Sequence, residues 1–148
     1  MSGVGEVRFD VPGPPVAKGR PRATAVGGQA RMYTPKKTSN AEALIALAAQ
    51  SAMGGREPFR VPLFMAVEVR LPVPASWSKK RRAAALQQQI RPTSRPDLDN
   101  FVKTVCDGCN GVVYADDSYV IEMAVRKVYG AWPGTNVHVY GVSGECAR

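Results

Sequence analysis

The chain has 148 residues, 45% of them hydrophobic, and 20 Lys+Arg against 12 Asp+Glu leave a net charge of +8. That length suits one domain with one core, and no apolar run approaches the ~20 residues of a membrane span. Met1 to Glu6 lacks the basic-then-apolar order of a secretory signal, and three cysteines are too few for a disulfide framework, so a cytoplasmic protein with no membrane partner is expected.

In chain order, Val7, Phe9 and Val11 alternate with Glu6, Arg8 and Asp10, which predicts a half-buried strand ending at Pro12-Gly13-Pro14-Pro15. Residues 16–38 are rich in Gly, Pro and cations without periodicity and predict a long loop, with a short extended piece at 30–33. Loops of that length inside a small domain usually carry function. Ser39 followed by Glu42 is a capping-box pattern, and the Ala/Leu run after it closes at Gly54-Gly55, predicting a helix from Ser39 to Met53. Leu63, Met65, Val67, Val69 and Leu71 alternate with Phe64, Ala66, Glu68 and Arg70 as a strand that Pro72 and Pro74 end. A helix over 78–89 follows, and Lys79, Lys80, Arg81 and Arg82 crowd its first turn. Cations there oppose the helix dipole, so stability did not select them.

After the basic linker 90–96, Leu98, Phe101, Val102, Val105 and Cys109 mark one face of a helix that Asn110-Gly111 ends. Ile121, Met123 and Val125, then Val137 and Val139, predict two further strands, joined as a hairpin across Gly130 to Thr135. The order β, α, β, α, α, β, β makes an α+β fold, a small mixed sheet packed with helices in one domain over residues 1–148.

Charge is unevenly spread. Residues 11–41 hold no acid but carry Lys18, Arg20, Arg22, Arg31, Lys36 and Lys37. Residues 69–96 again hold none, with Arg70, Lys79, Lys80, Arg81, Arg82, Arg91 and Arg95. Uncompensated cations are ordinary on a solvated face, but they also supply affinity for DNA through phosphate neutralisation, and Pro21 stiffens the spacing of Arg20 and Arg22. DNA contact is therefore expected through Lys18, Arg20, Arg22, Lys36, Lys37, Lys79, Lys80, Arg81, Arg82 and Arg95.

Five of the twelve acids lie between Asp97 and Asp117. Asp97 and Asp99 open a helix, where acids cap and complement the dipole at ~0.3–1 kcal/mol each. Capping accounts less well for Asp116 and Asp117, which a helix and turn of this length could return to the level where the helix began. A hard divalent ion would relieve the repulsion, because Mg²⁺ takes a few carboxylates and completes its shell with water and phosphate oxygens. Lys103, one turn after Asp99, is placed either to steady charge at a phosphate or to form an i,i+4 pair with Asp99. Both readings, capping and metal binding, are open at this point.

Arg95-Pro96-Asp97-Leu98-Asp99-Asn100-Phe101-Val102-Lys103, then Asp107, then Asn110 to Ser118, resembles the signature block of the RusA family of Holliday junction resolvases. Pro12 to Arg22 resembles the opening of its phage-associated branch. The resemblance implies a homodimeric, Mg²⁺-dependent endonuclease, Mn²⁺ able to replace the metal, that nicks opposed strands of a four-way DNA junction in recombination and repair. It implies that Asp97, Asp99 and Asp117 are metal-binding carboxylates and Lys103 an essential lysine, with Asp116 a further metal candidate and Asp107 of unassigned role. Cys109 departs from the family's usual leucine on an apolar face, where a small buried Cys is acceptable.

The rival readings are a non-catalytic nucleic-acid-binding module and a metal nuclease acting on flaps or RNA. Cys106-x-x-Cys109 has zinc-like spacing, but only His138 and Cys146 could complete the site, so helix packing is expected. His138 reads as an outward strand residue. Trp77 either stacks on an unpaired base or seals a core edge, and Tyr114 either serves the site or packs.

Overall fold

The alternation at the start of the chain produces β1, Glu6–Pro12, with Val7 and Phe9 buried and Glu6, Arg8 and Asp10 exposed. The computed structural model describes residues 5–19 and 35–147 with their side chains, and between them the backbone of two short strands, β2 Arg22–Val26 and β3 Gln29–Tyr33. These two pair antiparallel, so the long loop expected over 16–38 contains a hairpin. Nothing in its composition alternates clearly enough to announce one.

Helix α1 spans Lys36–Met53, a turn earlier than the capping-box pattern predicts. Pro35 stands at its N-cap without a side-chain hydrogen bond, Ser39 Oγ donates to the Lys36 carbonyl inside the helix, and Glu42 is drawn away to Lys18. Its end is as expected, with Gly54 left-handed and its N–H on the Gln50 carbonyl. Strand β4 is Leu63–Leu71. Helix α2 is Lys79–Leu86, capped by Ser78, whose hydroxyl accepts the Arg81 N–H at 3.2 Å. The chain leaves α2 through Gln88 in the left-handed region, and the Gln88 amide donates to the Tyr129 carbonyl at 3.0 Å.

Helix α3 is Leu98–Cys109 and a 3-10 turn, Asp117–Tyr119, leads into β5, Val120–Tyr129; β6 is Gly134–Gly141. The expected hairpin of β5 and β6 does not form. The sheet order is β1-β6-β4-β5, in which β4 separates them, lying parallel to β5 and antiparallel to β6. The four residues between β5 and β6 therefore pass over the end of β4, and the Gly130 N–H donates to the Leu71 carbonyl on the way.

One face of this mixed sheet presents Val7, Phe9, Leu63, Met65, Val67, Val69, Val137 and Val139 to α1 and α3, which return Ile45, Ala49, Met53, Phe101, Val105, Cys106 and Cys109 to a shared core. Each fully buried aliphatic side chain there contributes about 1.5–3 kcal/mol. The helices approach closely because Gly108 faces Ile45, where a Cβ would stand 2.7 Å from its Cγ2. The opposite face is polar and cross-linked between strands: Arg126 on β5 pairs with Glu68 on β4, Arg70 on β4 with Asp10 on β1, and His138 on β6 with Glu6 on β1. Hydrogen bonding to His138 holds the Glu6 carboxyl below its ordinary range.

Candidate active site

Helix α3 carries most of the predicted site. Asp97 is its N-cap, yet its carboxylate makes no capping hydrogen bond. Among the described residues neither Asp97 nor Asp99 is engaged in a side-chain hydrogen bond or ion pair, and both are exposed at the first turn. Neither carboxylate is therefore spent on a capping hydrogen bond. Counting along the helix, Asp99, Lys103 and Asp107 recur at i, i+4 and i+8 and form one stripe. Lys103 is exposed, and its ion pair is with Asp107 at 3.9 Å rather than with Asp99.

Asp107 has a second and closer partner. Lys18 Nζ lies 3.0 Å from Asp107 and 2.6 Å from Glu42 of α1, with the Lys18 side chain 19% exposed. The Glu42 hydrogen bond, reinforced by Asp107, raises the Lys18 pKa above its ordinary value. Backbone contacts fix the same point: the Lys18 N–H donates to the Asn100 carbonyl at 2.8 Å and the Gly19 N–H to Thr38 Oγ1 at 2.9 Å. Lys18, expected as a phosphate contact, is thus committed to joining the amino-terminal segment, α1 and α3. Sequence reasoning missed this because its two acid partners are remote in the chain and each has an ordinary local explanation.

Asp117 stands beside the later part of α3. Its charge, with that of Asp107, reaches Cys106, whose thiol pKa is raised chiefly by burial. Cys106 lies seven positions along the helix from Asp99, a rise of about 10 Å. At the far end of β5, Lys127 Nζ donates to the carbonyls of Ser94 and Pro96 at 2.8 and 2.9 Å, just ahead of α3. So β5 runs back along α3 from the turn that bears Asp117. Asp116 caps that turn by accepting the Ser118 N–H at 3.0 Å, which holds its carboxyl below the usual range. Tyr114 is packed, fully buried, with its hydroxyl donating to the Cys106 carbonyl at 3.0 Å.

Among the described residues, no three His, Cys, Asp or Glu side chains gather closely enough to hold one metal ion. The donor chemistry nonetheless fits a hard divalent cation. Asp97 and Asp99 offer free carboxylates two residues apart, and Mg²⁺ is commonly held by one or two carboxylates with water and substrate phosphate completing the shell. Cys106 and Cys109 pack as expected of a helix face: both are buried against the sheet, with Cys106 Sγ 4.0 Å from Met65 Sδ, while Cys146 is exposed beside the Arg60 carbonyl.

The predicted cations fall into two groups. Lys79, Lys80, Arg81, Arg82 and Arg95 are exposed at the end of the sheet where α3 begins, since Trp77 and Gln88, which flank α2, both contact Tyr129 and the 94–96 linker contacts Lys127. Lys36 and Lys37 are exposed on the first turn of α1. Arg20 lies outside the described residues, and Arg22, whose side chain also does, begins β2. Trp77 is half-buried against Tyr129 and covered by the Arg81 guanidinium, 4.1 Å from its ring centre, so the sealing role holds and its ring is not open for stacking.

No helix of the described residues is long and apolar enough to cross a membrane. A curated relative, the uncharacterized protein YqaN of Bacillus subtilis (strain 168), is 37% identical over 142 residues that span 93% of this chain and 97% of that protein. A family model described as endodeoxyribonuclease RusA matches residues 12–140, from the end of β1 through the α3 stripe and the Asp116-Asp117 turn to β6. With free carboxylates at the start of α3, an exposed lysine one turn on and a basic rim, the chain belongs to the RusA family of endodeoxyribonucleases.

Proposed function

We propose that the whole chain acts as one Mg²⁺-dependent, structure-selective endodeoxyribonuclease, a homodimer that nicks opposed strands of four-way DNA junctions in recombination and repair. The observation that carries this reading is the pair of carboxylates, Asp97 and Asp99, unengaged among the described residues and exposed at the end of the sheet where the basic α2 and linker also lie. Carboxylates spent on no hydrogen bond or ion pair among the described residues, set beside phosphate-attracting cations, suit a site where a divalent ion and a phosphate meet.

Asp97 and Asp99 would hold the ion directly, with Asp117 and Asp116 reaching it through metal-bound water. Bound there, Mg²⁺ or Mn²⁺ supplies a charge that polarises the scissile phosphate and acidifies a water. The protein's own part is to position the strand. Lys79 to Arg82 and Arg95 neutralise phosphates on the DNA arms. Lys103 holds Asp107 only loosely, at 3.9 Å, and turns to the phosphate to stabilise the charge that develops there. Lys18 keeps Asp107 from competing by pairing with it more closely. A C₂ dimer provides two such sites, matching the near two-fold symmetry of a four-way junction.

The test is incubation with a labelled synthetic four-way junction, a linear duplex, a flap and an RNA duplex, with Mg²⁺ or with chelator. Paired nicks in the junction only, and only with metal, are expected. Binding without cleavage would favour a non-catalytic module, and equal cleavage of flaps or RNA would favour a broader nuclease.

A further inference from the structure

Tryptophan gains more than most side chains from burial, yet Trp132, in the connection between β5 and β6, is 83% exposed. Its backbone is tied down. Arg70 Nε donates to the Trp132 carbonyl at 3.1 Å, the Gly13 N–H to the Pro133 carbonyl at 3.1 Å, and the Gly130 N–H to the Leu71 carbonyl at 3.0 Å. Arg70 is fixed in turn by Asp10 at 2.9 Å. The indole therefore projects from a loop anchored on β1 and β4. Among the described residues no aromatic ring or cation stacks on it, in contrast to Trp77 under Arg81.

Its surroundings select the partner. Trp132 stands three residues after Tyr129, which carries Trp77 and Gln88 from the two ends of α2, so the loop shares its end of the sheet with Lys79 to Arg82, a run with no acid in the helix's first turn. A second copy of the same surface would bring the same positive charge against it. DNA brings the opposite charge and aromatic bases. Within a linear duplex every interior base pair is stacked on both sides and offers no free face, whereas helices that diverge at a branch point leave interior bases stacked on one side only.

We propose that Trp132 stacks on an exposed base at the branch point and so sets the preference for branched over linear DNA. This deepens the nuclease reading above and rests on it. Trp132 acts on binding and on placement of the strand, with no part in the chemical step.

The chain has two tryptophans, so Trp77→Phe leaves Trp132 as the sole indole emitter. Titration of that variant with a four-way junction and with a linear duplex of equal length, both without metal, should quench emission strongly with the junction and weakly with the duplex. In the otherwise native chain, Trp132→Ala should weaken junction binding about tenfold, the usual scale for one lost base–aromatic stack, leave duplex binding unchanged, and be largely restored in Trp132→Phe. Unchanged indole emission on junction binding, or equal loss for both DNAs, would overturn the proposal. So would a drop in oligomer mass in Trp132→Ala, which would make the loop a self-association contact. A native chain that cuts junctions while Trp132→Ala binds them equally well defeats this inference alone; a native chain that neither binds nor cuts junctions defeats the nuclease reading with it.

Discussion

Replacing Lys18 by methionine keeps most of the side chain's length and removes its charge, leaving Glu42 and Asp107 facing each other across the space the ammonium occupied. The three side chains are 19%, 22% and 28% exposed, so the pairs lie between two regimes. Exposed pairs are worth ~0.2–1 kcal/mol, and breaking a fully buried pair costs ~3–5 kcal/mol. A loss of about 2 kcal/mol is expected, which for a domain of this size lowers Tm by roughly 4–8 °C. Lys18 has a raised pKa in the folded chain, principally through Glu42, so its contribution is fully present below the ordinary lysine value of 10.5 and fades as pH rises through the raised one. Thermal melts of the native chain and Lys18→Met should therefore differ by the same amount from about pH 7 to pH 10 and converge above that range. Adding Glu42→Gln to Lys18→Met should recover part of the loss, because it removes one of the two stranded carboxylates. A Tm change no larger than that of exposed Lys36→Met, or strictly additive effects in the double variant, would refute the account of Lys18 as a buried joint.

Other outcomes follow from the same geometry. Asp97→Asn and Asp99→Asn should each abolish junction cleavage while binding persists or tightens, since each removes a candidate metal ligand and a negative charge near phosphate; nicking assays and gel shifts read the two separately. Lys103→Ala should lose most cleavage with little change in affinity, as it is one of 20 cations. Gly108→Ala should cost about 1–3 kcal/mol by driving a methyl against Ile45 where α1 and α3 cross, visible as a lowered Tm. A thiol reagent at mild pH should titrate Cys146 rapidly and leave Cys106 and Cys109 untouched until denaturant is added, because burial raises both thiol pKa values and shields the sulfurs.

Much of this molecule was legible where a signal is local. Period-two alternation locates β1 and β4, and the apolar face of α3 is legible in full because helix geometry alone dictates it. The capping pattern sets the start of α1 a turn too late because its glutamate is spent on a distant lysine. Alternation marks β5 and β6 individually but not their pairing, since short loops suggest neighbours and nothing local reveals a strand inserted between them. In the candidate site, the Asp99–Lys103 spacing was readable as helix arithmetic. The commitment of Lys18 and the position of Asp117 beside Cys106 were not, because both depend on how α1, α3 and β5 cross.

The place of β6 in the sheet has a consequence for how the chain is made. Sixth among the strands in chain order, it lies between β1 and β4 and supplies a hydrogen-bonding partner to each. Until it is synthesised, β1 has no neighbour in the four-stranded sheet and β4 only β5, so a nascent chain stopped before Gly134 exposes two unsatisfied edges and the apolar faces behind them. Such edges are templates for pairing with other chains. Ribosomal emergence of the last strand, rather than of any helix, is then the event that lets the sheet close, and truncations within β6 should yield aggregates instead of a smaller folded nuclease.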